Sequence, residues 1–112
     1  MNKMLGKISK VSFGLGGYQD AMIGIHFSFS STGMGVSTTK SYWDANLIKV
    51  NEYTKWTEEK RKKEYAAIMY YISDLLKKAK VQDVMQLTNI PVELTFEDNT
   101  LKDWRILTEV LL

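Results

Sequence analysis

The stretch Ala21–Ser30 constrains the fold more than any other part of this chain. Ile23, Ile25, Phe27 and Phe29 are apolar, while Gly24, His26, Ser28 and Ser30 between them are small or polar. A period of two held over that length is a β-strand with one face in the core and the other turned away from it. Its flanks read the same way. Lys7 to Phe13 is a short strand with Val11 and Phe13 facing one way, and Gly35 to Tyr42 is a third strand rich in Ser and Thr. Ser31-Thr32-Gly33 is the turn between the second and third. Three consecutive strands with short connections imply an antiparallel meander.

Gly14-Leu15-Gly16-Gly17-Tyr18-Gln19-Asp20 lies between the first two strands and holds three of the seven glycines within four residues. Two readings are open. As a hairpin connection, Gly14, Gly16 and Gly17 permit positive φ in a tight or bulged turn, and Asp20 restarts the strand. As a site, the bare amides form a concave nest for an anion, with Tyr18 and Gln19 as neighbours. No G-x-G-x-x-G spacing and no following helix support a dinucleotide or P-loop site. The turn is the stronger reading, and Tyr18, Gln19 and Asp20 are the side chains to test beside Gly16 and Gly17.

Thr57 to Ala79 is the one strong helix. Thr57 suits an N-cap, Glu58 and Glu59 occupy the first turn, and Lys77, Lys78 and Lys80 close the last, matching the helix dipole at both ends. Tyr65, Ile68, Met69, Ile72, Leu75, Leu76 and Ala79 recur at spacings of three and four, which makes one apolar stripe. Tyr70 falls nearly opposite the middle of that stripe, so a helix packed by one face leaves its ring in water. Lys60-Arg61-Lys62-Lys63 resembles a basic patch. However, Glu58 and Lys62, Glu59 and Lys63, and Lys60 and Glu64 are spaced i,i+4, so a salt-bridged outer face is the stronger reading.

The remaining segments are shorter. Trp43 to Trp56 has no sustained period and reads as a packed connection. Its bracketing tryptophans, Trp43 and Trp56, pin it to the core or stack on a base or ligand. Val81 to Leu87 is a short second helix. Pro91 to Glu97 alternates with Val92, Leu94 and Phe96 inward, Asp98-Asn99 is a turn, and Leu101 to Leu112 is a final strand with Trp104 and Ile106 on one face. The expected fold is α+β: a strongly twisted antiparallel sheet of about five strands in β-β-β-α-β-β order, with one long helix packed on it. The same order matches an OB-like barrel as the alternative.

Composition narrows the chemistry. The chain has 112 residues, 45% of them hydrophobic, which suits one domain with its own core. Its net charge of +2 gives little general pull toward nucleic acid or anionic membrane. There is no cysteine, so disulfides, thiol nucleophiles and thiolate metal sites are excluded. No run approaches the about 18 apolar residues that span a membrane, and no secretory signal is evident, so a cytoplasmic setting is expected. His26 is the lone histidine, on the polar side of its strand and without ligand-type neighbours in sequence. The carboxylates Asp20, Asp44, Glu52, Asp98 and Asp103 stand singly, so no acid–base pair is legible. No cofactor or metal is expected, and an enzyme is the third-ranked reading, requiring groups to converge on His26 or Asp20.

Three phrases carry a resemblance. They are Gly16-Gly17-Tyr18-Gln19-Asp20-Ala21, Lys55-Trp56-Thr57-Glu58-Glu59, and the C-terminal Thr95-Phe96-Glu97-Asp98-Asn99-Thr100-Leu101-Lys102-Asp103-Trp104-Arg105-Ile106-Leu107-Thr108-Glu109-Val110-Leu111. Together they resemble a family of small, mostly uncharacterised phage and prophage proteins. The resemblance implies action in a bacterial host cytoplasm and brings no catalytic residues. It points to a non-enzymatic accessory protein that binds a host or defence protein or a small, anionic, nucleotide-like ligand. The alternative is a single-stranded nucleic-acid-binding protein built on an OB-like sheet. A homo-oligomer is expected from exposed Tyr70 and the apolar end Val110-Leu111-Leu112.

Overall fold

A computed structural model of the chain describes residues 2–17, 20–44 and 57–111. Strands β1 (Asn2–Gly16), β2 (Met22–Ser31) and β3 (Met34–Trp43) precede helix α1 (Glu58–Ala79), and β4 (Pro91–Glu97) and β5 (Thr100–Ile106) follow it. All pairings are antiparallel, in the order β3-β2-β1-β4-β5. The architecture is the expected α+β fold. A closed OB-like barrel would need β3 to pair with β5; they stand at opposite ends of the sheet, which is open.

β1 is longer than the Lys7–Phe13 expectation because its halves have different partners. Residues 2–7 pair with β4, and residues 7–16 pair with β2. The register shifts between Ile8 and Lys10, which leaves Ser9 as the extra residue of a bulge. Before it, Met4 faces Leu94 and Ile8 faces Phe29; after it, Val11 faces Phe27 and Phe13 faces Ile25. The inward positions therefore change from even to odd, and the period of two breaks in the sequence.

β2 keeps its period. Ile25, Phe27 and Phe29 are buried, and Ile23 is half-buried. β4 likewise buries Val92, Leu94 and Phe96. The β4–β5 turn uses Asp98 and Asn99 at φ 51° and 64°, the left-handed pair that matches strand twist. The final strand, however, ends at Ile106 rather than running to Leu112, and a 3-10 turn, Thr108–Val110, follows. Its partner sets the limit: β4 begins at Pro91, whose carbonyl accepts from Leu107 N–H at 3.0 Å and which has no N–H to return. Val110 is exposed on that turn, while Leu111 packs against the core. Arg105 bonds both Glu93 and Glu109, and its guanidinium holds the Glu109 carboxyl below the usual carboxylate range.

α1 begins where the sequence places it. Thr57 Oγ1 accepts from Lys60 N–H at 3.1 Å, and Lys80 closes the helix in the left-handed region. Replacing Thr57 with alanine is expected to cost about 1 kcal/mol, read as a lower denaturant midpoint with an unchanged slope. Glu59–Lys63 and Asp74–Lys78 are paired along the outer face, and Glu58 pairs with Arg61, whose side chain is largely buried. Ile68, Leu75 and Ala79 form the buried centre. Met69 departs from the expected stripe, at 65% exposure, and Tyr71 packs against the core instead. The helix is thus rolled toward Tyr71. The second helix is a single 3-10 turn, Val84–Leu87, held by a reciprocal Asp83–Gln86 capping box.

The sheet is curled. Trp104 on β5 lies 4.9 Å from the rings of both Phe27 and Phe29 on β2, although β1 and β4 stand between those strands. In a flat sheet the backbones of β2 and β5 would be about 14 Å apart. The bulge at Ser9 and a second register shift around Lys102 add to the bend. α1 lies in the concavity against β2, β3 and β5. Tyr71 links the two sheet edges: Lys40 of β3 sits 5.8 Å from its ring, and Trp104 of β5 lines the same cleft as it does. Burial, and then the Asp103 carboxylate, push the Tyr71 phenol above its usual range.

Candidate functional site

With α1 on the concave side, the convex side of β1–β2–β3 is free of it. Pairing aligns residues there in rows across the strands. Lys10, Ser28 and Ser37 form one row, and Ser12, His26 and Thr39 the next. Gly14, Gly24 and Ser41 follow, and Gly16, Met22 and Trp43 end the series. The result is a shelf of hydroxyls with backbone open at Gly14, one imidazole in its middle and Trp43 at one border. Lys7 and Lys10 are exposed at the other end, and neither has an ion pair among the described residues.

The glycine stretch divides into strand and turn. Gly14 and Gly16 lie within β1, opposite Gly24 and Met22, so the expectation that they serve positive φ is corrected. Gly17 alone among the three has it, at 70°, and Asp20 shares it at 54°, with Asp20 N–H bonding Gly17 O at 3.2 Å. The strand restarts at Met22, two residues after Asp20. Gly14 and Gly16 thus belong to a sheet ladder and not to an anion nest. Tyr18, Gln19 and Trp56 lie outside the described residues.

The strand glycines have separate reasons. A Cβ on Gly16 would lie 3.0 Å from His26 Cε1, so its absence makes room for the imidazole. A Cβ on Gly24 would overlap the Lys40 carbonyl oxygen and lie 2.5 Å from Ser41 Cα, so β3 passes too close for any side chain. A Cβ on Gly14 would meet nothing within 4 Å. That position is open space on the shelf.

His26 is fixed from two sides. Its Nδ1 is 2.8 Å from Thr39 Oγ1, and that hydroxyl donates to the Ile25 carbonyl at 3.1 Å. Nε2 lies 3.3 Å from Gly14 O. The imidazole's partners are a hydroxyl and a carbonyl oxygen rather than a carboxylate. No cluster of three or more His, Asp or Glu suited to a metal occurs among the described residues.

Of the sequence candidates, Gly16, Gly17, Asp20 and Trp43 come together at one end of the shelf. Trp43 is half-buried on β3, opposite Met22 and in the same row as Gly16. Tyr70 is 77% exposed on α1, as its helical position predicts, but it stands apart from the others. Sequence reasoning passed over Gly24, Thr39 and Ser41. Their signal was the polar half of the alternation in β2 and β3, which was read only as the side away from the core. On the concave side, a cleft of about 380 Å³ between Phe13, Ile23, Asp44, Tyr65, Ile68 and Met69 explains why Phe13 is 48% exposed although it points inward.

Comparisons with protein-family models, with curated proteins and with solved structures find no match for this chain.

Proposed function

We propose that this protein works by binding another protein, with the convex shelf of β1–β2–β3 as the contact surface. The observation that supports the reading most is the make-up of that shelf: Gly14 leaves backbone bare beside the exposed hydroxyls of Ser12 and Thr39, and Trp43 borders it. Bare backbone allows close approach over an extended area, and tryptophan is a residue type enriched where binding energy concentrates. A small ligand wants a concave site that buries most of its surface. A shallow shelf suits a macromolecule better. Stacking on successive bases needs several aromatic rings on the free face, whereas Phe27, Phe29 and Trp104 pack together on the concave side and leave Trp43 at the shelf's border.

The resemblance to small phage proteins makes a host or defence protein in a bacterial cytoplasm the partner we expect. The reading includes no chemical step, and His26 serves to shape the shelf. Gly14→Arg tests it, because the new side chain enters open space and leaves the fold intact. In native mass spectrometry of material purified from infected cells, the wild-type protein should retain a protein partner, and Gly14→Arg should lose it with unchanged thermal stability. Retention of the same partner by Gly14→Arg, or of a small ligand alone by the wild type, would overturn the reading.

Lys7 and Lys10, beside Ser30 and Ser28 and without an ion pair among the described residues, favour a second reading in which single-stranded nucleic acid lies along β1. It predicts a shift with oligonucleotides at low salt that falls steeply as salt rises. No shift at low salt would remove it.

A further inference from the structure

We infer that two copies of this chain pair through the free edges of β3, in an antiparallel two-fold arrangement centred on Thr38. The backbone of β3 is ready for it. Asp44 N–H bonds Ala21 O in the same register as the β2–β3 pairs, and bonded pairs alternate along an antiparallel ladder. The even-numbered members of β3 therefore bond to β2. The odd-numbered members, Gly35, Ser37, Thr39 and Ser41, direct their N–H and C=O groups outward, where no described strand receives them.

The other free edges carry devices against such pairing, and β3 carries none. β5 has an unpaired bulge residue at Lys102, with Asp103 and Arg105 beside it. β1 loses β4 beyond Lys7, and from there it has the Ser9 bulge and two glycines. β3 is ten residues long, with no register shift, no proline and Lys40 as its one charge. A long unguarded edge is a template for another strand.

The edge is also complementary to itself. With Thr38 on the two-fold axis, Ser37 meets Thr39, Gly35 meets Ser41 and Tyr42 meets Met34, so the outward groups of each copy face those of the other. Lys40 then lies opposite Val36. Moving the axis to Lys40 would set the two ammonium groups against each other, and like charges directly opposite are destabilising. Moving it by half a residue would set outward groups against inward ones. The product is one continuous sheet of two curled halves.

The absence of cysteine in the chain gives a direct test. Thr38→Cys places one thiol on each side of the axis in a non-hydrogen-bonded pair, where side chains come closest. Oxidation should give a covalent dimer with Thr38→Cys and none with Tyr70→Cys. Sedimentation of the wild type should show a reversible monomer–dimer equilibrium at high micromolar concentration, and Ser37→Pro, which removes one outward N–H, should stay monomeric. A wild type that is monomeric throughout that range, a dimer that survives in folded Ser37→Pro, or cross-linking at position 70 instead of 38 would overturn the inference. Thr38→Cys decides the question if Ser37→Pro does not fold. Gly14→Arg leaves the β3 edge untouched, so loss of partner binding and loss of the dimer are read separately.

Discussion

Gly24→Ala is expected to lower stability by about 3 kcal/mol, while Gly14→Ala changes it by less than about 0.5 kcal/mol. The two glycines face each other across β1 and β2 on the same side of the sheet, Gly24 between two strands and Gly14 with a neighbour on one side. They differ in what lies above them. A methyl on Gly24 meets the Lys40 carbonyl oxygen and Ser41 Cα, both backbone, and relief requires β3 to move off β2. A methyl on Gly14 meets nothing. For a domain of this size the difference should appear as a melting temperature lower by more than about 10 °C in Gly24→Ala alone. Equal melting temperatures for the two variants would show that β3 does not approach β2 in this way.

Trp104→Ala is the second substitution with a large expected cost, about 3 kcal/mol. The indole fills the concavity between β5 and β2, 4.9 Å from both phenylalanine rings. Removing it leaves a void that a curled sheet cannot collapse without unbending. Trp104→Phe keeps an aromatic ring against Phe27 and Phe29, so it should recover more than half of the lost stability in denaturant titration. A Trp104→Ala variant as stable as the wild type would mean that β5 is not drawn across to β2, and the sheet would be flatter than described.

Legibility in the sequence followed the regularity of each element. β2, β4 and α1 repeat at two, two and 3.6 residues without a break, and their limits and buried faces were read within a residue or two. β1 was read short because the Ser9 bulge reverses the inward parity, and a bulge leaves no signature beyond that reversal. The end of β5 could not be read from β5 at all, since Pro91 on the neighbouring strand sets it. Met69 was misplaced because it sits at the margin of the stripe, where a small roll of α1 decides burial.

The candidate site was legible only in pieces. The glycine stretch stood out, and Gly17 with Asp20 does make the turn, but Gly14 and Gly16 are strand residues whose role depends on His26 and on the open shelf. Trp43 was singled out for bracketing a connection; its place in one row with Gly16, across Met22, follows from registers across three strands, which no single stretch encodes. Tyr70 illustrates the converse. Its exposure follows from helical period alone, yet nothing in the period says which residues it stands beside, and it lies on α1, away from the shelf.

Hydrogen exchange, followed by mass spectrometry on the purified protein with and without its captured partner, tests the central claim most directly. The account predicts partner-dependent protection of peptides covering residues 10–16, 22–30 and 35–43, with α1 unchanged. Protection confined to residues 58–79, with the three strands unaffected, would place the contact on the helix and contradict it.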